Sequence, residues 1–200
     1  MQSLNIKYDP DVDGASPKII SGTFPAHLIE WETGNEYDGS IPHNAVYRIA
    51  PEAAEYIGKD FDTGEEVKGA GMVSQSVKGN GIWLCPNPPK GEGWKNRTYV
   101  EFAESLGIEF PKTTDPVTGK AIIDIQALEL DDVLGLPVLV VIGQQIHKED
   151  KNLSPEENPR KYPRVFKTLA WEDGEPLDLE TLLEPDTATE KVDPFAEDDE

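Results

Sequence analysis

Residues 135 to 174 read GLPVLVVIGQQIHKEDKNLSPEENPRKYPRVFKTLAWEDG, and the fold turns on how this stretch is divided. Val138 to Ile142 is apolar and mostly β-branched, the pattern of a strand buried on both faces. Tyr162 to Trp171 alternates instead. Val165, Lys167 and Leu169 fall on one face of a strand, and Arg164, Phe166, Thr168 and Ala170 on the other. The pair predicts a core strand followed by one that presents a face outward. Between them Lys148, Lys151, Arg160 and Lys161 gather positive charge.

That basic loop is set in an acidic chain. The 200 residues carry 39 acidic and 18 basic side chains, a formal net charge of −21. From Trp171 to Glu200 thirteen carboxylates meet one lysine, so the end of the chain is a polyanion and the body only moderately acidic. Such a balance disfavours affinity for polyanions over the whole surface, yet leaves room for a local basic groove, because the field in a cleft depends on nearby charge. Cys85 is the one cysteine, which excludes an intramolecular disulfide and suits a reducing cytoplasm. The N-terminus has no apolar signal segment, and no stretch approaches the roughly 18 apolar residues of a membrane span. A soluble cytoplasmic protein is expected.

Working outward, residues 1–18 are polar and broken by Pro10, Gly14 and Pro17, an extended arm. Asp9, Asp11, Asp13 and Gly14 open like a calcium loop, but Ile20 stands where a bidentate glutamate is needed, so no metal site is expected. Ile19 to Trp31 and Asn44 to Ala50 read as strands, the first with a bulge or edge at Gly22 and Pro25. Pro51 to Ile57 reads as a helical turn and Lys59 to Lys68 as a polar connection. Ala70 to Lys78 and Gly81 to Cys85 read as a hairpin turning at Gly79-Asn80-Gly81. Tyr99, Phe102, Ala103 and Leu106 recur at helical spacing, with Thr98 and Glu101 placed as a capping box and Gly107 as the stop. A turn follows over 115–119, and 122–134 is ambiguous between strand and short helix.

The catalytic and metal signatures are missing. His27, His43, His147 and Cys85 are scattered singly, the glycine pairs lack the rest of a dinucleotide fingerprint, and no P-loop or nucleophile elbow occurs. No enzyme and no cofactor are expected. What remains is aromatic residues interleaved with cations: Tyr47 beside Arg48, Trp94, Lys95 and Arg97 together, Lys78 and Lys90 flanking them, and Phe166 between Arg164 and Lys167. Single-stranded nucleic acid requires this mixture, flat side chains for stacking and cations along the phosphates. Aromatic residues on strands also build cores. Trp83 and Tyr99 are read as core, Trp94 and Phe166 as platforms, with Tyr47 a further candidate.

The segments DVLGLPVLVVIG (132–143) and GIWLCPNPPKGEGWKNRTYVEFAESLGI (81–108), with the basic loop, the closing strand and the acidic tail, together resemble the single-stranded DNA-binding proteins encoded by bacteriophages. The resemblance spans about Ile19 to Trp171 plus the tail. It implies a mainly β fold, an OB-like five-stranded barrel with one inserted α-helix, divided as an arm (1–18), a binding domain (19–174) and a disordered acidic tail (175–200). It further implies a non-enzymatic protein that coats single-stranded DNA in phage replication or recombination, in the cytoplasm of the infected bacterium. Under it, Tyr47, Arg48, Lys78, Lys90, Trp94, Lys95, Arg97, Lys148, Lys151, Arg160, Lys161, Arg164, Phe166 and Lys167 would contact the strand. Asp193, Pro194, Phe195, Glu197, Asp198, Asp199 and Glu200 would recruit replication or recombination proteins, although relatives of the wider bacterial group end at Pro-Phe and here five residues follow Phe195. A homo-oligomer is compatible with this reading. The rival class is an acidic phage protein, structural or DNA-mimicking, that docks a basic partner through its negative surface.

Overall fold

A computed structural model of the chain describes residues 19–89 and 91–178. The arm over 1–18 with its aspartates, Lys90, and the tail from 179 onward with its Pro194-Phe195 island lie outside the described residues. In chain order the strands are β1 (Gly22–Thr33), β2 (Ile41–Ile49), β3 (Ile57–Lys59), β4 (Glu66–Lys68), β5 (Ser76–Lys78) and β6 (Ile82–Leu84). Helix α1 (Arg97–Ser105) comes next, then β7 (Lys112–Thr114), β8 (Ala121–Ile123), α2 (Leu130–Val133), β9 (Pro137–Ile146) and β10 (Lys161–Leu169). None of these helices is long and apolar enough to cross a membrane.

The molecule is mainly β, a curled antiparallel half-barrel with the order β10-β9-β1-β2-β5, in which β6 also pairs with β2. Alternation builds its interior. Phe24, Ala26 and Leu28 of β1, Tyr47 and Ile49 of β2, Val138, Val140 and Ile142 of β9, and Val165 of β10 are all buried. Each fully buried large apolar side chain contributes roughly 1.5–3 kcal/mol. Leu139 and Val141 of β9 are only half-buried, so this strand has one fully covered face rather than the two its composition suggests. β1 shifts register between Leu28 and Glu30. The bulge turns Trp31 inward and leaves Glu30 and Glu32 outside. Trp31 then stacks between His43, 4.6 Å away at an interplanar angle of 5°, and Phe102 of α1, at 4.9 Å and 8°.

The expected hairpin over 70–85 does not form. β5 and β6 lie along the same neighbour, Val46↔Lys78 and Pro42↔Trp83, as two halves of one interrupted strand. The segment 79–81 serves two neighbours: Gly79 N donates to Ala45 O (2.8 Å) on β2, and Asn80 N donates to Val165 O (3.0 Å) on β10. Gly79 and Val165 form a parallel bridge, which brings the two edges of the half-barrel together. A Cβ on Gly79 would lie 3.1 Å from the Tyr47 ring, so glycine permits the close approach that local sequence suggests is a turn. Residues 69–72 are 3-10 helix, and β3 with β4 makes a small hairpin where a plain connection is expected.

Helix α1 follows β6 in the chain and packs against β6 and β10. It is preceded by a 3-10 turn over Gly93–Asn96, and Thr98 and Glu101 both fall inside it rather than forming a capping box. Asn96 occupies the N-cap, but its side chain is used elsewhere. Its Oδ1 accepts from Cys85 N (2.6 Å) and its Nδ2 donates to Cys85 O (2.9 Å), tying the Pro/Gly loop to the end of β6. Gly107, at φ +76°, ends the helix as expected. Tyr99 is fully buried, and its hydroxyl accepts from Leu128 N (2.7 Å) while Trp31 Nε1 donates to Leu128 O (3.0 Å). The ambiguous segment resolves into β8, paired with β7 across the expected turn, and the single turn α2. Packing continues past Gly174, where Leu177 N donates to Gly135 O (2.9 Å) and Glu175 O lies 3.0 Å from His27 Nε2.

Candidate nucleic-acid interface

β10 shifts register between Val165 and Lys167, and this bulge decides what it displays. Val165 stays inside. Phe166 is the inserted residue and is 49% exposed, and Lys167 moves to the outside. The face assignment read from strict alternation therefore fails beyond Val165, because one extra residue inverts the parity of every residue after it. The Phe166 ring lies against Gly143 on the facing strand, where a Cβ would come within 3.0 Å of it.

Two residues earlier, Arg164 is held in place. Its guanidinium carbon lies 5.1 Å from the centroid of the Tyr162 ring, and its Nη1 donates to Gly79 O (3.2 Å). Nε is buried with no hydrogen-bond partner. Beside Arg164 opens a recess of about 290 Å³ whose lining includes Asn44, Asn80, Gln145, Lys148, Lys151 and Tyr162. No carboxylate lines it, in a chain with 39 of them. On the other side of Gly79-Asn80-Gly81 lies a second recess of about 330 Å³, walled by Arg97, Glu101, Phe166 and Lys167.

The 147–160 loop that carries Lys148 and Lys151 is closed at its base by His147 N donating to Arg160 O (2.8 Å). Arg160 is spent inside the loop. It holds Asp150 through Nε (2.8 Å) and Nη2 (2.8 Å) and reaches Glu149 through Nη2 (2.8 Å). These bonds press the Asp150 carboxyl well below the usual carboxylate range and lower Glu149 as well, and they raise Arg160. Arg160 thus serves as a staple of this loop. Among the described residues, no carboxylate pairs with Lys78, Lys148, Lys151, Lys161, Arg164 or Lys167. Three of these, Lys148, Lys151 and Arg164, line the recess.

Other residues singled out in the sequence scatter. Tyr47 is 1% exposed and belongs to the core, with burial pushing its hydroxyl pKa up, so it offers no stacking surface. Arg48 is half-buried on β2, and Lys78 is exposed at the end of β5. Lys95 is salt-bridged to Glu92 (2.7 Å) and Arg97 to Glu101 (2.7 Å), and these hydrogen bonds raise both cations' pKa values. Trp94 is 70% exposed but stands in a different cleft, among carboxylates. Trp83, expected in the core, points outward from β6 and is 42% exposed.

Tyr162, Asn44, Asn80 and Gln145 were not anticipated. Only Tyr162 had a local signal, its i, i+2 relation to Arg164 on one strand face. No protein-family model, curated protein or solved structure matches this chain.

Proposed function

We propose that this protein binds single-stranded nucleic acid, with the role of a phage-type single-stranded DNA-binding protein and an OB-type barrel as its scaffold. The observation that carries the reading is the carboxylate-free recess around Arg164, Lys148 and Lys151; the exposed Phe166 walls the neighbouring recess across Gly79-Asn80-Gly81, together with Lys167 and Glu101. Cations at that recess meet phosphates without an internal competitor, and the phenyl ring offers a face for a base.

The topology supports the scaffold. β1 sits between β2 and β9, β10 lies beyond β9, the interrupted β5–β6 strand lies beyond β2, and a parallel bridge joins the outer members. This arrangement supports a partly open five-stranded Greek-key barrel, in which the second and third strands and the loops after the first and fourth form the ligand face. Here those parts are β2 with β5–β6, the 34–40 loop carrying Tyr37 (74% exposed), and the 147–160 loop. Trp83 and Tyr37 join Phe166 as stacking candidates on this reading.

The test is titration of the full chain with oligo-dT, followed by tryptophan fluorescence, at low and moderate salt. Saturable binding that weakens with salt, and weakens further in Phe166→Ala, supports the reading. Absence of binding at low salt rejects it in favour of an acidic protein that docks a basic partner.

A further inference from the structure

Residues 97, 100, 101 and 104 of α1 are spaced i, i+3, i+4, i+7 and share one helix face. This face borders the β7–β8 hairpin, and its Arg97 and Glu101 also wall the recess that holds Phe166. Between this face and the hairpin lies a cleft of about 880 Å³, within the span of about 300–1,000 Å³ usual for ligand clefts. Its apolar surface comes from Trp94, Val100, Ile122, Ile123 and Ile125. Trp94 is 70% and Ile122 50% exposed, an unusual exposure for two large apolar side chains lining one cleft.

The charge around this cleft is opposite to that of the basic recess. Glu101, Glu104 and Asp124 line it, and its one cation among the described residues, Arg97, is already bound to Glu101 at 2.7 Å. No described cation pairs with Glu104 or Asp124. A phosphodiester strand laid across Trp94 would meet three carboxylates, so the aromatic residue most exposed to solvent on α1's approach is poorly placed for nucleic acid. A segment with apolar anchors and flanking lysines or arginines meets it well.

We infer that the cleft between α1 and the β7–β8 hairpin is a docking site for a basic, apolar-anchored peptide segment of a partner protein, with Trp94 and Ile122 gripping the anchor and Glu104 and Asp124 its cations. The cleft and the recess that holds Phe166 share Arg97 and Glu101 as a common wall, so a peptide held here lies next to the proposed nucleic-acid face. The inference rests on the cleft alone and does not need nucleic-acid binding to be correct.

The experiment uses the full chain with methyl-labelled Val and Ile, titrated with an amphipathic Leu/Lys peptide, its Leu/Glu counterpart and oligo-dT. The expected result is that the Leu/Lys peptide moves the Val100, Ile122, Ile123 and Ile125 methyls, the Leu/Glu peptide does not, and Glu104→Lys with Asp124→Lys weakens the response roughly tenfold or more. Both substitutions are at exposed positions, so unchanged methyl spectra of the free variant verify its fold. Three results overturn the inference: Leu/Lys shifts absent from these methyls, as when the peptide settles only on other acidic surface; equal response to the Leu/Glu peptide; or movement of the same methyls by oligo-dT. Failure here with oligo-dT still binding leaves the nucleic-acid reading intact.

Discussion

Phe166 rests on Gly143 so closely that a Cβ at residue 143 would stand 3.0 Å from its ring. The glycine is the seat of the exposed ring. Gly143→Ala therefore displaces the ring while β9 keeps its pairing, since alanine is tolerated in a strand at a cost below about 1 kcal/mol. We expect near-wild-type urea denaturation and a several-fold loss of oligo-dT affinity. Phe166→Ala should lose roughly 1–3 kcal/mol of binding, the worth of one stacked base.

The cations of the recess differ from the ring in what they control. Lys148, Lys151 and Arg164 would each neutralise about one phosphate, which gives a salt dependence of log K near −2 at about −0.7 per phosphate on single strands. Lys148→Ala with Lys151→Ala should bring the slope close to −0.7. Arg160→Ala acts through the loop instead. It frees Glu149 and Asp150 next to the recess, so binding falls although a non-contacting residue was changed.

The same staple sets an acid limit. Asp150 and Glu149 have folded-state pKa values below their ordinary ones because Arg160 bonds them. Their contribution is fully present above the ordinary carboxylate range of about 4 and is lost as pH falls through the depressed values. Amide protection factors in residues 147–160, corrected for the intrinsic exchange rate at each pH, should fall on acidification below about pH 4, and Asp150→Asn should show low protection already at neutral pH.

His43 supplies a second, milder pH dependence. Buried in the stack with Trp31, it has a pKa lowered by desolvation, and Nε2 has no partner to accept a proton's hydrogen bond. The unfolded chain binds that proton more readily, so the contribution is complete above about pH 6.5 and declines as pH falls below it. His43→Phe preserves the stacking and removes the titration. Its denaturation midpoint should vary less between pH 7.5 and 5.5 than that of the wild type.

Asn96 gives a test of the fold itself. It satisfies both backbone groups of Cys85 in a buried setting, and Asn96→Ala leaves an N–H and a C=O without partners. A loss of roughly 2–4 kcal/mol in urea denaturation is expected.

How much of this could be read from the chain depends on the range of the interaction. Local sequence determined the helix that buries Tyr99 and Phe102, its stop at Gly107, the presence of strands around Val138–Ile142 and Tyr47, and the concentration of lysines after β9. These follow from repeats of 2.0 and 3.6 residues and from φ preferences, which neighbours in sequence set. The tertiary structure alone decided the rest. Bulges at Ile29 and Phe166 invert which residues face out, Gly79-Asn80-Gly81 joins β2 to β10 instead of turning, and Trp83 and Tyr47 exchange the positions expected of them. It also decided which charges remain: Arg160, Lys95 and Arg97 are matched by carboxylates, while Lys148, Lys151 and Arg164 are not. Register and ion pairing are settled between strands and loops brought together only by folding, so a one-residue slip or one nearby carboxylate changes a side chain's role without any change in its local sequence.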